Sequence, residues 1–417
     1  MEPTQRTVDR ALIPTGHDAS SYTCLRSLAS RGVGAVIASE KETVPAAASR
    51  YCDESVSLPN PREGLLTYRD ALLELAERDD VKTIIPVRPE DSYVLSRYEA
   101  EFSDHVSLVV PTMAQLERVH DRLQLAAEAE AAGVPVPETR ALSAVDDWDP
   151  DLLIKSRYNV LADAYLDELG PDDMDVVKHI YHTGHGETPD VEAVRRAMRH
   201  DPIVQEFIHT DGEYMFTGLY QDGEALATFQ HRQIRGNSYT GGGGVYRRSI
   251  YDPELERVGR ALLDHLEWNG LACIEYMRDA TTGEYVLTEI NPRMWQSLPS
   301  TVAAGADYPW YYWLAATGRA DEIDHDYDIG VGTHMLHGEL GYLMSVLTED
   351  SPHVPRPSIP GTVWAIGTSI LREPRFDYLK LDDPWPFLVG VGNVLPEGIS
   401  RSLPWPRRFA RNRPDHS

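Results

Sequence analysis

The chain reads as an α/β protein with α+β lobes: a small, doubly wound parallel sheet at the N-terminus, then a larger two-lobed unit. Three observations carry this. Short apolar runs alternate with helical segments over the first hundred residues, the pattern of a mostly parallel sheet covered by helices. The proline-stiffened "VPVPETR" (134–140) interrupts that alternation, as connections between compact units do. Beyond it, the strand patterns "LACIEYM" and "YVLTEINPR" carry polar side chains where plain packing would use apolar ones.

The elements follow in order. "RALIPTG" is an apolar strand, "SSYTCLRSLASRG" a helix stopped by Gly32, and "VGAVIAS" the next strand. A helix over "GLLTYRDALLELAERDD" leads to the strand "VKTIIPV", then "PEDSYVLSRYEAEF" is helical and "HVSLVVP" a further strand. "TGHDAS", at the carboxyl end of the first strand, is placed like a binding loop but lacks the GxGxxG spacing. Thr112 and Gln115 form a capping-box signature for one helix running to Gly133. "DLLIKSRYNV" is a strand carrying Lys155, and residues 161–200 are polar and acidic, a small mobile lobe. Two strands flank a connector with a turn glycine, Gly212, in "DPIVQEFIHTDGEYMFTGLY"; "EALATFQHRQIR" then runs into the loop "GNSYTGGGG". The helix "PELERVGRALLDHLEWNG" precedes two strands joined at the turn "ATTG". After about residue 320 the periodicity weakens, and the chain ends in an Arg-rich tail with Arg407, Arg408, Arg411 and Arg413.

Composition narrows the function classes. Hydrophobic residues make up 42% of the 417, and no apolar run approaches the length of a membrane span. There is no signal-peptide pattern and the three cysteines are dispersed, which fits a reducing cytoplasm. Asp and Glu number 66 against 39 Lys and Arg, a net charge of −27, and only five of the cations are lysines. Such a surface suits a salt-loaded, halophilic cytoplasm, because about 1 M salt shrinks the Debye length to roughly 3 Å. The same field opposes nucleic acid as a partner, and no membrane association is expected.

Chemistry gathers at "LTEINPRMW" (287–295). Strand alternation puts Glu289, Asn291 and Arg293 on one side, and Glu275 interrupts the neighbouring predicted strand. Buried carboxylates without partners cost several kcal/mol or take up a proton. Two carboxylates and an amide are oxygen donors of the kind Mg²⁺ accepts; the plainer alternative is a pair of strand acids balanced by arginines. Lys155, a compact ammonium in an Arg-using chain, suits a phosphate oxygen, or else snorkels to solvent. "VQEFI" offers extended backbone for an adenine edge, and Glu213 could accept two ribose hydroxyls. Arg232, Arg235 and Gly241–Gly244 suit an anion, or are a plain surface loop. His179, His182 and His185 recur every third residue without a second cluster, as in a solvated loop.

In this order (strand lysine, Gln-Glu-aromatic hinge, glutamate, Arg/Gly-rich loop, E…E-x-N-x-R) the motifs resemble the ATP-grasp superfamily, and most of all its carboxylate–amine ligases. The resemblance covers residues 1 to about 320. It implies a pre-ATP-grasp α/β domain (1–111) and an ATP-grasp domain (112–320), with a mobile small lobe at about 151–205, a hinge at 205–210 and a large lobe at 211–320. Residues 321–417 form a C-terminal segment. It implies ATP and Mg²⁺ (or Mn²⁺) as cofactors. Lys155 and Arg122 would contact phosphates, Glu206, Phe207 and Ile208 adenine, the last two through backbone, and Glu213 the ribose. Glu275, Glu289 and Asn291 would ligate metal, while Arg293 and Arg235 would steady the γ-phosphate and an acyl phosphate. The implied partners are a small carboxylate and an amine, and the implied assembly is a homodimer. Arg122 stands where many relatives carry lysine, and no Gly-Ser-rich phosphate lid follows Lys155. Bicarbonate activation and a non-catalytic ATP sensor are the competing readings.

Overall fold

The computed structural model describes residues 8–177, 179–351 and 354–394. The first strands, β1 (Arg10–Pro14), β2 (Gly34–Ser39), β3 (Glu54–Ser57) and β4 (Val81–Ile84), form a parallel sheet in the order β3-β2-β1-β4. Helices α1 (Ala19–Ala29), α2 (Leu65–Ala76), α3 (Pro89–Arg97) and α4 (Glu99–Ser103) cover it. β1 and β2 are buried nearly throughout, as a sheet covered on both faces requires. The Ser-rich edge strand β3 escapes the sequence pattern because only alternate residues turn inward.

The strand expected at "HVSLVVP" does not form. Residues 105–111 pack against the large lobe instead, where Asn269 Nδ2 donates to Val110 C=O at 2.7 Å and Tyr312 Oη meets Val109 N–H at 3.3 Å. These contacts replace a ladder. The single helix expected over 112–133 is two, α5 (Met113–His120) and α6 (Arg122–Ala131). Asp121 breaks it: its backbone is extended and its carboxylate caps α6 at Leu123 N–H while pairing with Arg157 at 2.6 Å. Asp prefers such local bonding to a helix interior.

Next come β5 (Thr139–Ala141), β6 (Leu152–Lys155), β7 (Leu161–Ala162), β8 (Met174–Asp175), β9 (Ile180–Thr183), α7 (Val191–Met198) and β10 (Ile203–Glu206). An antiparallel sheet in the order β5-β10-β6-β9 makes the small lobe. Its core of Leu142, Leu152, Ile154, Val194, Met198 and Val204 is separate from the two larger clusters.

The large lobe is a six-stranded antiparallel sheet. It contains β11 (Thr210–Gln221), β12 (Glu224–Ser238), β13 (Gly241–Ile250), β14 (Gly270–Asp279) and β15 (Tyr285–Asn291), with α8 (Pro253–His265) packed beneath. Gly212, read as a turn residue, lies in β11 at a register shift. The four glycines are likewise not a free loop. β12 and β13 pair through Gly236–Gly244 and Ser238–Gly241 with repeated shifts, and Gly241 and Gly242 hold φ of +129° and +97°, a region glycine adopts freely.

Helix α9 (Leu298–Ala303) and the aromatic helix α10 (Tyr308–Ala316) follow, and α10 ties the parts together. Tyr308 Oη donates to Thr217 C=O at 3.0 Å, and Tyr312 Oη to Ile84 C=O at 3.0 Å. The chain beyond 320 does not stand apart from the large sheet. β16 (Gly332–His334) pairs with β13 and ends the order β15-β14-β11-β12-β13-β16, before α11 (Leu336–Thr348), α12 (Ile359–Arg372) and α13 (Trp385–Val394). Among the described residues no helix is long and apolar enough to cross a membrane. The Arg-rich tail lies outside the described residues.

Candidate active site

The hairpin of β14 and β15 does what its sequence promised. Glu275 and Glu289 are direct cross-strand partners, and Cys273 pairs with Asn291. Asn291 Nδ2 lies 3.4 Å from Glu275 Oε1, and Arg293 Nη2 donates to Asn291 Oδ1 at 3.2 Å. The turn that follows is anchored to α3 and to the segment after β4: Ser92 Oγ donates to Pro292 C=O at 2.8 Å and Met294 N–H to Pro86 C=O at 2.9 Å.

Cations meet this hairpin from the opposite side. Arg122 Nη2 lies 3.2 Å from Glu289 Oε1, and its Nη1 donates to Ser156 C=O at 2.9 Å, one residue past β6. Lys155 is half-buried at the end of β6. Burial, with the Arg122 charge beside it, lowers the Lys155 pKa to about 8, against the opposing pull of Glu289 and Glu275. Burial and then the Glu289 charge push Glu275 up to about 7, with Glu213 adding to the rise. Glu213 itself is raised by burial and accepts from Gln233 on the neighbouring strand.

Six of the expected residues therefore share one electrostatic environment: Lys155, Arg122, Glu213, Glu275, Glu289 and Arg293. Asn291 joins them by hydrogen bonds. Within or against this group, Arg122 Nε, Arg293 Nε and Asn159 Oδ1 are buried without a partner, and Asn159 is held there by its Nδ2 bond to Ile290 C=O. Buried polar atoms left open cost about 1–3 kcal/mol each unless something fills them. No group of three or more His, Cys, Asp or Glu side chains is placed for a metal among the described residues. The available oxygen set is two carboxylates and an amide, which fits a hard divalent cation completing its shell with water and phosphate.

Other expected residues stand elsewhere. Glu206 ends β10, exposed. The Phe207 ring stacks on His182 at 4.7 Å and meets His209 edge-on at 5.1 Å. Its N–H already donates to Asp151 C=O at 3.2 Å, so of the two backbone contacts expected of Phe207 and Ile208, this donor is spent within the lobe. Of the histidine run expected as a loop, His182 lies on β9, while His179 and His185 flank the strand outside it. Arg235 is bound by both oxygens of buried Glu339, at 2.7 and 2.6 Å, and no hydrogen bond or ion pair joins it to the carboxylate hairpin among the described residues. Glu339 also receives His334 Nδ1 at 2.7 Å. Glu339, Gln233 and Asn159 were missed in the sequence; single polar residues in weakly periodic segments carry no local signal.

Comparison with solved structures decides the fold. The biotin carboxylase domain dimer of the Hydrogenobacter thermophilus 2-oxoglutarate carboxylase, in complex with MgADP, ADP and bicarbonate, superposes with a TM-score of 0.59 at 14% identity, over 79% of this chain and 74% of that one. The ADP complex of the Staphylococcus aureus N5-carboxyaminoimidazole synthetase gives 0.57 at 13% identity, over 78% and 80%. Biotin carboxylase from Campylobacter jejuni gives 0.57 at 12%, over 77% and 74%. The chain has the ATP-grasp fold. No family model matches its sequence, and no curated protein sequence does. The ATP-grasp lobes leave the carboxylate hairpin on the large lobe and Lys155 on the small one, so the cluster lies where the two lobes face each other.

Proposed function

We propose that the chain is an ATP-dependent ligase that activates a small carboxylate and joins it to an amine. A carboxylate oxygen attacks the γ-phosphorus, the bond to ADP breaks, and an acyl phosphate forms. The amine nitrogen then attacks the acyl carbon, phosphate leaves with the bonding pair, and the nitrogen gives up a proton. The observation that supports this most is the single cluster in which Glu275 and Glu289 pair across strands with Arg122 and Lys155 held against them.

In this reading Glu275, Glu289 and Asn291 hold Mg²⁺ (or Mn²⁺), which when bound neutralises charge on the triphosphate. Lys155 and Arg122 contact phosphate oxygens, Arg293 steadies the γ-phosphate, and Glu213 receives the ribose hydroxyls. Glu206 and Ile208 border the adenine beside the Phe207 ring. Arg235 reaches an acyl phosphate only by releasing one of its bonds to Glu339. The separate small-lobe core allows that lobe to close and exclude water from the intermediate.

Bicarbonate as the activated acid is the second reading, favoured by solved relatives whose complexes contain bicarbonate. A screen for ADP release in molar KCl separates the two, using bicarbonate in one arm and pooled carboxylates with amines in the other. Release in neither arm, with ATP still bound, refutes the ligase reading. Glu289→Gln should abolish release while the protein stays folded.

A further inference from the structure

The C-terminal helices present an apolar face that nothing among the described residues covers. α12 is inverted relative to an ordinary surface helix. Its buried positions are Thr362 and Ser369, while Ile359, Val363, Trp364 (75% exposed) and Leu371 (82%) point outward. On α11, Leu340, Met344 and Leu347 are exposed at i, i+4 and i+7, one stripe of the helix. The two helices run antiparallel and pack together, because His334 N–H, just before α11, donates to Arg375 C=O, just after α12, at 2.8 Å. Monomeric proteins seldom expose contiguous apolar patches beyond a few hundred Å². Scaled by ordinary residue areas, these fractions leave several hundred Å² open, enough to mark an interaction surface.

Charge selects the occupant. Residues 354–417 carry nine Lys and Arg against six Asp and Glu, in a chain whose total is −27. Every described acid among them already has a partner within the chain: Glu373 with Arg248 at 3.2 Å, Asp377 with Arg247 at 2.7 Å, Asp382 with Arg26 at 2.8 Å, and Asp383 with Tyr22 at 3.1 Å. Arg372 and Arg375, by contrast, are exposed and have no side-chain partner among the described residues. Arg356, at the far end, pairs with Asp350 at 3.6 Å. Beyond Val394 the sequence adds five arginines with Trp405 and Phe409.

We propose that the α11–α12 face docks on the surface of an anionic lipid bilayer, with the apolar side chains at the headgroup boundary and the arginines among the phosphates. At 14 residues, α12 is roughly 21 Å long and lies along a bilayer rather than across it. Exposed Trp beside Leu and Ile, with Arg at the helix end, is the side-chain set that such interfacial helices use. Local arginines act within a Debye length, where the distant acidic surface is screened.

The test is co-sedimentation of the full chain with phosphatidylglycerol vesicles and, separately, phosphatidylcholine vesicles, in 0.1–1 M KCl. We expect binding to the anionic vesicles, at least tenfold weakened by Trp364→Ser with Leu371→Ser. Arg372→Gln with Arg375→Gln should remove the preference for phosphatidylglycerol. These positions are exposed, so thermal melting and solution-phase nucleotide binding should be unchanged. No sedimentation with either lipid overturns the proposal, as does sedimentation indifferent to both double variants. A doubled molar mass in light scattering that Trp364→Ser with Leu371→Ser halves would assign the face to a second copy instead, and overturn it equally.

Discussion

Arg122 and Glu289 meet at 3.2 Å, joining the first residue of α6 to β15, while the same guanidinium holds the carbonyl of Ser156 beside Lys155. One side chain thus links the carboxylate hairpin to the strand end that carries the lysine. Charge-assisted hydrogen bonds of this kind contribute about 1.5–3 kcal/mol. Arg122→Ala should therefore lower the rate of ADP release at least tenfold and raise KM for ATP. Arg122→Lys keeps the charge but spans only one contact, and should fall between. Steady-state kinetics on both variants reads this, and an Ala variant equal to the parent sinks the linkage.

If Glu275 ligates metal as proposed, nucleotide binding should depend on pH. Its pKa is raised to about 7 in the folded chain, so between the ordinary carboxyl range near 4.5 and pH 7 the folded state holds a proton that the unfolded state has released. Stability from this group is full at pH 4–5 and is lost as pH rises through 7. A metal held there as proposed would have to displace that proton, so Mg²⁺-dependent ADP affinity should fall as pH drops from 8 to 6. Glu275→Gln should stabilise the unliganded protein at pH 8 and change little at pH 5. Calorimetric titration and melting at three pH values test both signs.

Lys155 shifts the opposite way. With a folded pKa of about 8 against an ordinary 10.5, it binds fewer protons when folded across pH 8–10.5, so its burden on stability is present below pH 8 and eases above it. Lys155→Met should melt higher than the parent at pH 7 and lose most of that advantage by pH 10. Its ATP affinity should fall at both pH values.

Arg235 and Glu339 form a buried pair, with side chains 9% and 3% exposed. Removing one partner leaves the other charged and unpaired, which costs about 3–5 kcal/mol. Glu339→Ala should show that loss in urea unfolding, and adding Arg235→Leu should recover part of it. A Glu339→Ala cost of under about 1 kcal/mol would show that the buried pair contributes little to stability.

Salt should stabilise the whole molecule. The net charge of −27 repels itself over about 10 Å at 0.1 M salt but over only about 3 Å at 1 M. The unfolding midpoint should climb steadily with KCl across that range. A midpoint that is flat or falling removes the case for a salt-adapted chain.

Much of the site was legible because strands impose a two-residue period. Glu289, Asn291 and Arg293 share a side for that reason, and the turn at 280–283 sets Glu275 opposite Glu289. Lys155 stood out by residue type. Arg235 shows the limit: its partner Glu339 is 104 residues away, on a helix with no bearing on the local pattern. The same holds for Phe207, whose N–H is taken by Asp151, and for 105–111, where Asn269 and Tyr312 supply bonds that a sheet would have supplied.

By itself, the order of residues determined the alternation of strands and helices, the facing carboxylates of one hairpin and the acidic surface, all set by neighbours within a few positions. Tertiary structure alone decided that Asp121 splits a helix to hold Arg157, that glycines 241–244 join a ladder, that β16 closes the large sheet, and that α12 turns its apolar side outward. Those outcomes depend on which distant group satisfies a buried charge, a backbone amide or an apolar surface. No local periodicity encodes that choice.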